Sequence, residues 1–325
     1  MSAEGILSYL VFFFTMAGIY ATLCLGLNVQ WGYTGLFNIG IAGFFAIGAY
    51  TSAILTTPSS PLHLGGFGLP FAVGFLAAGV VSGLLALLIG IPTLRLREDY
   101  LAIATIGIAE TIRYVLLNEQ WLAGGIRGLA GIPFPLRSVL GPRLANYFYL
   151  ALVLGILALL YIALERGLRS PWGRVLKAIR EDEHVASASG KDVFRFRLEA
   201  LVLGSTVMGF AGSLYAHFVG FISPAAFHPM LTTFIVWVML IVGGSGNNKG
   251  AIAGGYIVWA IWTLTEFVTD FLPSAVATRS ASLRVVLIGL LLIVMLLYRP
   301  RGFFGEERHV SRALARRAQS GKAEL

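Results

Sequence analysis

The chain is written in long apolar runs separated by short polar joints, and each run is close to the roughly 20 residues that a helix needs to cross a bilayer core. The runs fall at 6–27, 36–55, 70–91, 100–117, 145–164, 198–221, 231–243, 251–271 and 283–298. They predict an all-α polytopic membrane protein with about nine transmembrane helices, the pattern allowing eight to ten. The second and seventh runs are the weakest; both are rich in glycine and read equally as broken or re-entrant segments. The longest internal polar joint spans 165–197. Within it Ser170-Pro171-Trp172-Gly173 reads as a helix start, 174–189 as a helix, and Gly190 as its C-cap with positive φ. Val175, Leu176, Ile179 and Val185 fit one face while Arg180, Glu181, Asp182 and Glu183 stay wet. The joint therefore predicts a short amphipathic helix, lying either on the headgroups or against a cytosolic partner.

Composition points the same way. Of the 325 residues, 57% are hydrophobic and only 12% charged, where a soluble domain needs about 25% charged residues to cover its surface. The net charge is still +8, and its distribution tests the topology. With the C-terminus inside, 18 of the 24 basic residues fall in cytoplasmic segments, eight of them between Arg166 and Arg197. That bias follows the positive-inside rule and predicts an odd number of crossings with the N-terminus outside. No Lys or Arg precedes the first run, so it reads as a retained span rather than a cleaved leader. The result is a membrane body over 1–299 and a basic cytoplasmic tail over 300–325, the tail suited to lipid anchoring and not to nucleic acid.

Candidate chemistry is sparse. Cys24 is the single cysteine, and His63, His184, His217, His228 and His309 lack metal-site spacing, so no metal and no cofactor are expected. There is no G-x-x-x-x-G-K-[ST] loop, G-x-S-x-G elbow or H-E-x-x-H helix, which excludes the usual ATPase, hydrolase and zinc-protease chemistries. Gly243-Gly244-Ser245-Gly246 follows an apolar helix rather than a strand and is discounted as a phosphate turn. Ionisable residues inside spans are costly and count as functional candidates. Glu110 and Arg113, at i,i+3, pair either as a structural lock or as a solute contact. Glu266 and Asp270 fall near a span end and can snorkel. Asn28, Gln30, Asn38, Ser205 and Thr206 can bond between helices or line a path. The 39 glycines suit both close helix packing and irregular backbone beside water.

Eight sequence pieces, in order, carry a resemblance. They are Gly32-Tyr33-Thr34-Gly35-Leu36 with Ile39-Gly40 and Gly48-Ala49-Tyr50; Leu94-Arg95-Leu96-Arg97 with Asp99-Tyr100-Leu101-Ala102-Ile103; and Gly107 with Glu110 and Arg113. Next come Gly124-Gly125 with Gly128-Leu129 and Gly131-Ile132-Pro133, then Gly173-Arg174 with Ala178-Ile179-Arg180-Glu181, Ala186 and Gly190. Ile222-Ser223-Pro224, Gly243-Gly244 with Gly246 and Gly250, and Arg299-Pro300-Arg301-Gly302 complete the set. In these the chain resembles the LivM-type permease subunit of branched-chain amino acid ABC importers. Asn247-Asn248-Lys249 departs from the pattern, since relatives often carry less polar residues there.

The resemblance implies that the segment at about 173–190 is a coupling helix docking on an ATPase subunit, with Arg174, Arg180, Glu183, Ala186 and Gly190 as its coupling residues. It implies four partner chains: a second homologous permease subunit, two cytosolic ATP-binding subunits and a periplasmic solute-binding protein. The membrane is then the bacterial inner membrane. Relatives of this type carry leucine, isoleucine and valine, or urea, amides and broader amino acid sets, and this sequence does not choose among them. An ion-gradient-driven secondary transporter is the alternative; an intramembrane enzyme lacks the clustered His and acidic residues it would need.

Overall fold

The computed structural model describes residues 3–58, 64–269 and 280–305. Its order is α1 (Ala3–Leu27), a π-helical turn (Asn28–Gly32), α2 (Ile41–Thr56), α3 (Phe71–Thr93), α4 (Glu98–Asn118), α5 (Gln120–Ala123), β1 (Leu129–Ala130), α6 (Arg137–Arg169), α7 (Pro171–Glu181) and α8 (Glu183–Ala188). After these come α9 (Val193–Val219), β2 (Phe221–Ile222), α10 (Pro229–Gly243), α11 (Asn248–Thr269) and α12 (Ser280–Tyr298). The chain is an all-α membrane protein with one departure: β1 and β2 pair antiparallel, Leu129 opposite Ile222.

Every predicted run overlaps a helix, but the helices differ in reach. Glu4–Gly32, Phe71–Thr93, Asp99–Asn118, Arg137–Arg169 and Val193–Val219 are long and apolar enough to cross a bilayer. Ile41–Thr56 and Pro229–Gly243 are shorter; at about 1.5 Å per residue they span only about 22–24 Å. The second run, placed at 36–55 and open to a break, is irregular at its start: no regular structure covers 35–40, because Gly35 takes φ +73 and the Asn38 side chain accepts from the Gly40 amide at 2.7 Å, turning the backbone before α2 starts. Helix α6 also extends beyond its run and kinks at Gly141, φ 73, just ahead of Pro142.

Helix α9 is the axis of the bundle, packed by α1, α2 and α3, and small residues set the spacing. A Cβ on Gly48 would lie 2.2 Å from the Gly209 carbonyl oxygen, and one on Gly212 2.2 Å from that of Phe45, so α2 and α9 touch backbone to backbone. Helices α10 and α11 cross the same way, with Gly254 against the Met239 carbonyl.

The bundle has two distinct ends. At one, Gly35 approaches Arg180, Leu94 and Leu96 meet Gly35 and Arg197, and the Phe303 amide donates to the Val242 carbonyl at 2.9 Å. At the other, the Leu64 amide bonds to the Trp121 carbonyl and Ile132 to that of Gly220. The arginine-rich 165–197 joint, the 243–249 turn and the first tail residues therefore share one end.

Candidate functional site

The polar joint at the arginine-rich end is two helices, not the single helix expected. Pro171 sits in the first turn of α7, pre-set for helix. Asp182 ends it: the residue is extended (φ −159, ψ 110), and its carboxylate accepts from the amides of His184 at 2.9 Å and Val185 at 3.1 Å, so it becomes the N-cap of α8. The break turns Val185 outward, 62% exposed, whereas Leu176 and Ile179 are buried as expected, at 0% and 2%. At its far end α8 closes with Gly190 at φ +78; Gly190 donates to the Ser187 carbonyl and Lys191 to that of Ala186, the two bonds of a glycine-capped helix end.

Few side chains tie this pair to the bundle. The Trp172 indole donates to Glu199 at 2.8 Å, and Glu183 bridges Arg197 at 2.6 Å. Lys177 stands over the Tyr33 ring, 5.5 Å from its centroid. Arg180 donates to the Gly32 carbonyl. These last two contacts hold the turn where α1 ends and the irregular 33–40 segment begins. Arg174 is exposed, its side chain turned from the bundle, and Ala186 is buried.

That irregular segment and the Gln30 turn before it are wired to three helices, α9, α4 and α10. Gln30 donates to the Leu201 carbonyl and the Ser205 hydroxyl at 3.0 and 3.1 Å, and accepts from Asn38 at 2.8 Å. Thr105 of α4 receives the Ile39 amide at 3.0 Å. On the α10 side, Thr233 donates to the Ile39 carbonyl and Trp237 to that of Asn38. Irregular backbone at membrane depth needs such cover. Asn38 and Ser205 thus join through Gln30, while Thr206 stays apart and bonds back to the Val202 carbonyl on its own helix at 2.9 Å. Asn247 and Asn248, which departed from the family pattern, pack without strain. Asn248 accepts from Asn28 and donates to Glu165, at 2.9 and 2.8 Å, and Asn247 accepts from the Lys249 amide at 2.9 Å.

Beside this segment lies a cleft of about 980 Å³. Trp31, Phe37 and Trp237 form its wall as a mutual aromatic cluster, with ring centroids 5.0–5.3 Å apart. The cleft follows α10 from His228 to the tail residues Pro300 and Arg301, and Ile106 brings α4 to its edge.

Farther along α4, Arg113 and Glu110 pair at 2.7 Å, with side chains 14% and 30% exposed. Arg113 also lies over the ring of Tyr114, 4.6 Å from its centroid. A same-helix ion pair is worth only about 0.2–0.5 kcal/mol, which does not offset the cost of placing two ionisable side chains inside a span. Helix stability does not account for it. Glu266 and Asp270 lie outside the residues whose side chains are described.

A second polar centre, at the opposite end, has no local signature along the chain. His217, buried on α9, bonds the Pro133 carbonyl through Nδ1 at 2.8 Å and Ser52 through Nε2 at 2.9 Å, and Ser52 meets Ser213 at 2.7 Å. A carbonyl only accepts, so Nδ1 carries the hydrogen and a neutral ring takes its second bond from Ser52. Its members lie up to 165 residues apart, and the β1–β2 pairing, with the Ile132 amide on the Gly220 carbonyl, brings the 129–133 stretch to α9. Among the described residues no cluster of His, Cys, Asp and Glu could hold a metal.

Helices long enough to span a membrane and packed through glycine describe a membrane-embedded bundle with one basic end. The family described as branched-chain amino acid transport system, permease component, matches residues 9–296. The chain belongs to this permease family. It is 34% identical to the high-affinity branched-chain amino acid transport system permease protein LivM of Salmonella typhimurium, over 89% of this chain and 68% of that protein. The LivM of Escherichia coli is 33% identical over the same shares. Salmonella typhimurium LivH, another permease protein of that name series, is 24% identical over 90% of this chain and 92% of its own length. No solved structure matches. As a member of the permease family the chain is a multi-pass transport protein.

Proposed function

We propose that the chain forms part of the membrane path of an ATP-driven importer for branched-chain amino acids or related small polar solutes. A homologous second permease completes the path, two cytosolic ATP-binding subunits drive it, and a periplasmic solute-binding protein delivers the cargo. The coexistence of LivM and LivH among the relatives supports the two-permease arrangement. Nine crossings then put the N-terminus in the periplasm and the arginine-rich end in the cytoplasm of a bacterial inner membrane, with 1–299 as the permease body and 300–325 as a basic tail on the lipid.

One observation carries the reading: α7, gripping Gly32 and Tyr33 through Arg180 and Lys177, joins the cytoplasmic end to the irregular backbone beside the cleft. A push on α7 reaches the wall of the path by way of Gln30 and Asn38. Arg174, Glu181 and Val185 face outward and form the surface that an ATP-binding subunit would press, while Glu183, Ala186 and Gly190 keep α8 in place.

Two measurements test this. A tagged chain captured from solubilised membranes should bring down ATP-binding chains and a homologous permease; reproducible recovery alone would count against the assembly. In proteoliposomes holding the full complex, leucine uptake should stop without ATP and survive collapse of proton and sodium gradients. Uptake by this chain alone that vanishes with a gradient would make it a secondary transporter.

A further inference from the structure

Helix α4 has an inner and a flanking stripe. Ala102, Thr105, Ala109 and Leu116 are buried, and Ala109 meets the close approach of Gly43 from α2. On the flank, Ile106, Glu110 and Arg113 recur at spacings of four and three, which aligns them along one side of the helix. Ile106 borders the aromatic cleft, so Glu110 begins one turn, about 6 Å, beyond the cleft edge. Gly107 is exposed beside them, and a Cβ there would meet nothing within 4 Å.

The cleft and the ion pair have complementary shortcomings. The cleft wall is aromatic and aliphatic, and two of its polar groups are engaged: Thr233 bonds to the Ile39 carbonyl and the Trp237 indole to that of Asn38. It would shelter an aliphatic side chain, and it offers no carboxylate. His228 and Arg301 stand at its two ends, separated by the length of α10. The pair on α4 has both charges and no apolar pocket of its own. Among the described residues it ties no second helix to α4, because its ionic and aromatic partners there, Glu110, Arg113 and Tyr114, all belong to α4. Of the two, Glu110 is 30% exposed and Arg113 14%, so the couple keeps one partly open face on the flank.

We propose that Glu110 and Arg113 are a contact site for the zwitterionic head of the transported amino acid. The Arg113 guanidinium takes the α-carboxylate and the Glu110 carboxylate takes the α-ammonium, while the aliphatic side chain lies in the cleft against Trp31, Phe37 and Trp237. The fit is one of charge and order: unlike charges side by side, with the apolar space one helical turn away, match an amino acid with a branched hydrocarbon side chain. Urea and simple amides carry neither charge and would gain only hydrogen bonds from the pair, without the ion–ion attraction. The inference rests on the permease reading above and adds to it the residues that recognise the solute.

The experiment uses the full complex in proteoliposomes and radiolabelled leucine. Exchanging the charges, Glu110→Arg with Arg113→Glu, keeps an ion pair on the helix and reverses it toward the path. Leucine uptake should fall about tenfold or more in the exchanged complex while it still assembles, since each end of the solute then meets its own charge. Wild-type uptake by the exchanged complex would identify the pair as a structural lock and overturn the proposal. A second probe does not touch the charges. Cys24 is buried, so in Gly107→Cys the new thiol is the one a membrane-impermeant thiosulfonate reagent reaches. Labelling that is slowed by leucine and the binding protein is expected; absence of labelling, or labelling indifferent to leucine, would overturn the site even if the exchanged complex failed to assemble. A wild-type complex without ATP-dependent uptake would instead bring down the permease reading together with the site.

Discussion

Helix α9 and the α7–α8 pair are neighbours in sequence and opposites in construction. Helix α9 is fixed by shape: it lies against α1, α2 and α3 through Gly204, Gly209 and Gly212, where a Cβ would fall 2.6, 2.5 and 2.2 Å from the backbone oxygens of Gly26, Ala78 and Phe45. Packing of that kind has one geometry and yields little to a small force. The α7–α8 pair buries Leu176 and Ile179 and is otherwise held by a few directional contacts, with Trp172, Arg180 and Glu183 each reaching a different partner. Such a seat yields more readily than backbone packed on backbone. Under the proposed function the difference separates a frame from a lever, and the Gly32 turn, held by Arg180, is where the lever meets the frame.

The sharpest way to break the comparison is to overfill the frame. In Gly212→Val the Cβ alone would fall 2.2 Å from the Phe45 carbonyl oxygen and 2.6 Å from the Ala49 nitrogen. Neither neighbour is a side chain that can rotate away. Overpacking of this kind costs about 3 kcal/mol or more, and the variant should fail to accumulate in membranes or to survive solubilisation as a single species on gel filtration. A stable, monodisperse Gly212→Val would show that α2 and α9 are not in rigid contact.

Cutting the lever should do something different. Arg180→Ala removes the donor to the Gly32 carbonyl and leaves the packing of α9 untouched. A lost partner for a partly buried acceptor costs about 1–3 kcal/mol, too little to unfold the bundle. The expected result is a complex of normal abundance that hydrolyses ATP but takes up leucine about tenfold more slowly. Uptake and hydrolysis falling in equal proportion would mean that Arg180 only steadies the fold.

The same contrast explains what the sequence could say in advance. The frame was legible because crossing a bilayer imposes a length and a composition, and both can be counted along one run; α3, α4 and α9 sit where the apolar runs put them. The positions of charge were equally plain, since the 165–197 joint, the 243–249 turn and the tail meet at one end, as the basic residues required. What was not legible depended on partners far along the chain. Gln30 faces Ser205 across 175 residues, and His217 finds Pro133 across 84, with no local pattern to announce either bond. The break between α7 and α8 is a different case. Helical periodicity suggested one helix over 174–189, yet Asp182 was available as an N-cap, a residue type that competes with the helix by bonding the amides after it. Reading the cap ahead of the period would have found the break and turned Val185 outward.

The smallest predicted effect lies at the far end of the lever. Gly190 holds φ +78, and a Cβ there would meet nothing within 4 Å, so a substitution is opposed by backbone strain and not by a clash. A left-handed residue with a side chain costs about 1–2 kcal/mol, spent on a two-turn helix at the surface; Gly190→Val should leave the melting of the solubilised complex nearly unchanged. The strain is relieved by opening the bonds from Gly190 to Ser187 and from Lys191 to Ala186, which lets the end of α8 shift beside the outward surface of Arg174 and Val185. Coupling should therefore suffer more than stability, with more ATP hydrolysed per leucine imported. Gly190→Asn, which tolerates the left-handed region, should lie between the glycine and the valine. If Gly190→Val imports leucine with wild-type stoichiometry, α8 does not take part in transmission, and the lever ends at Asp182.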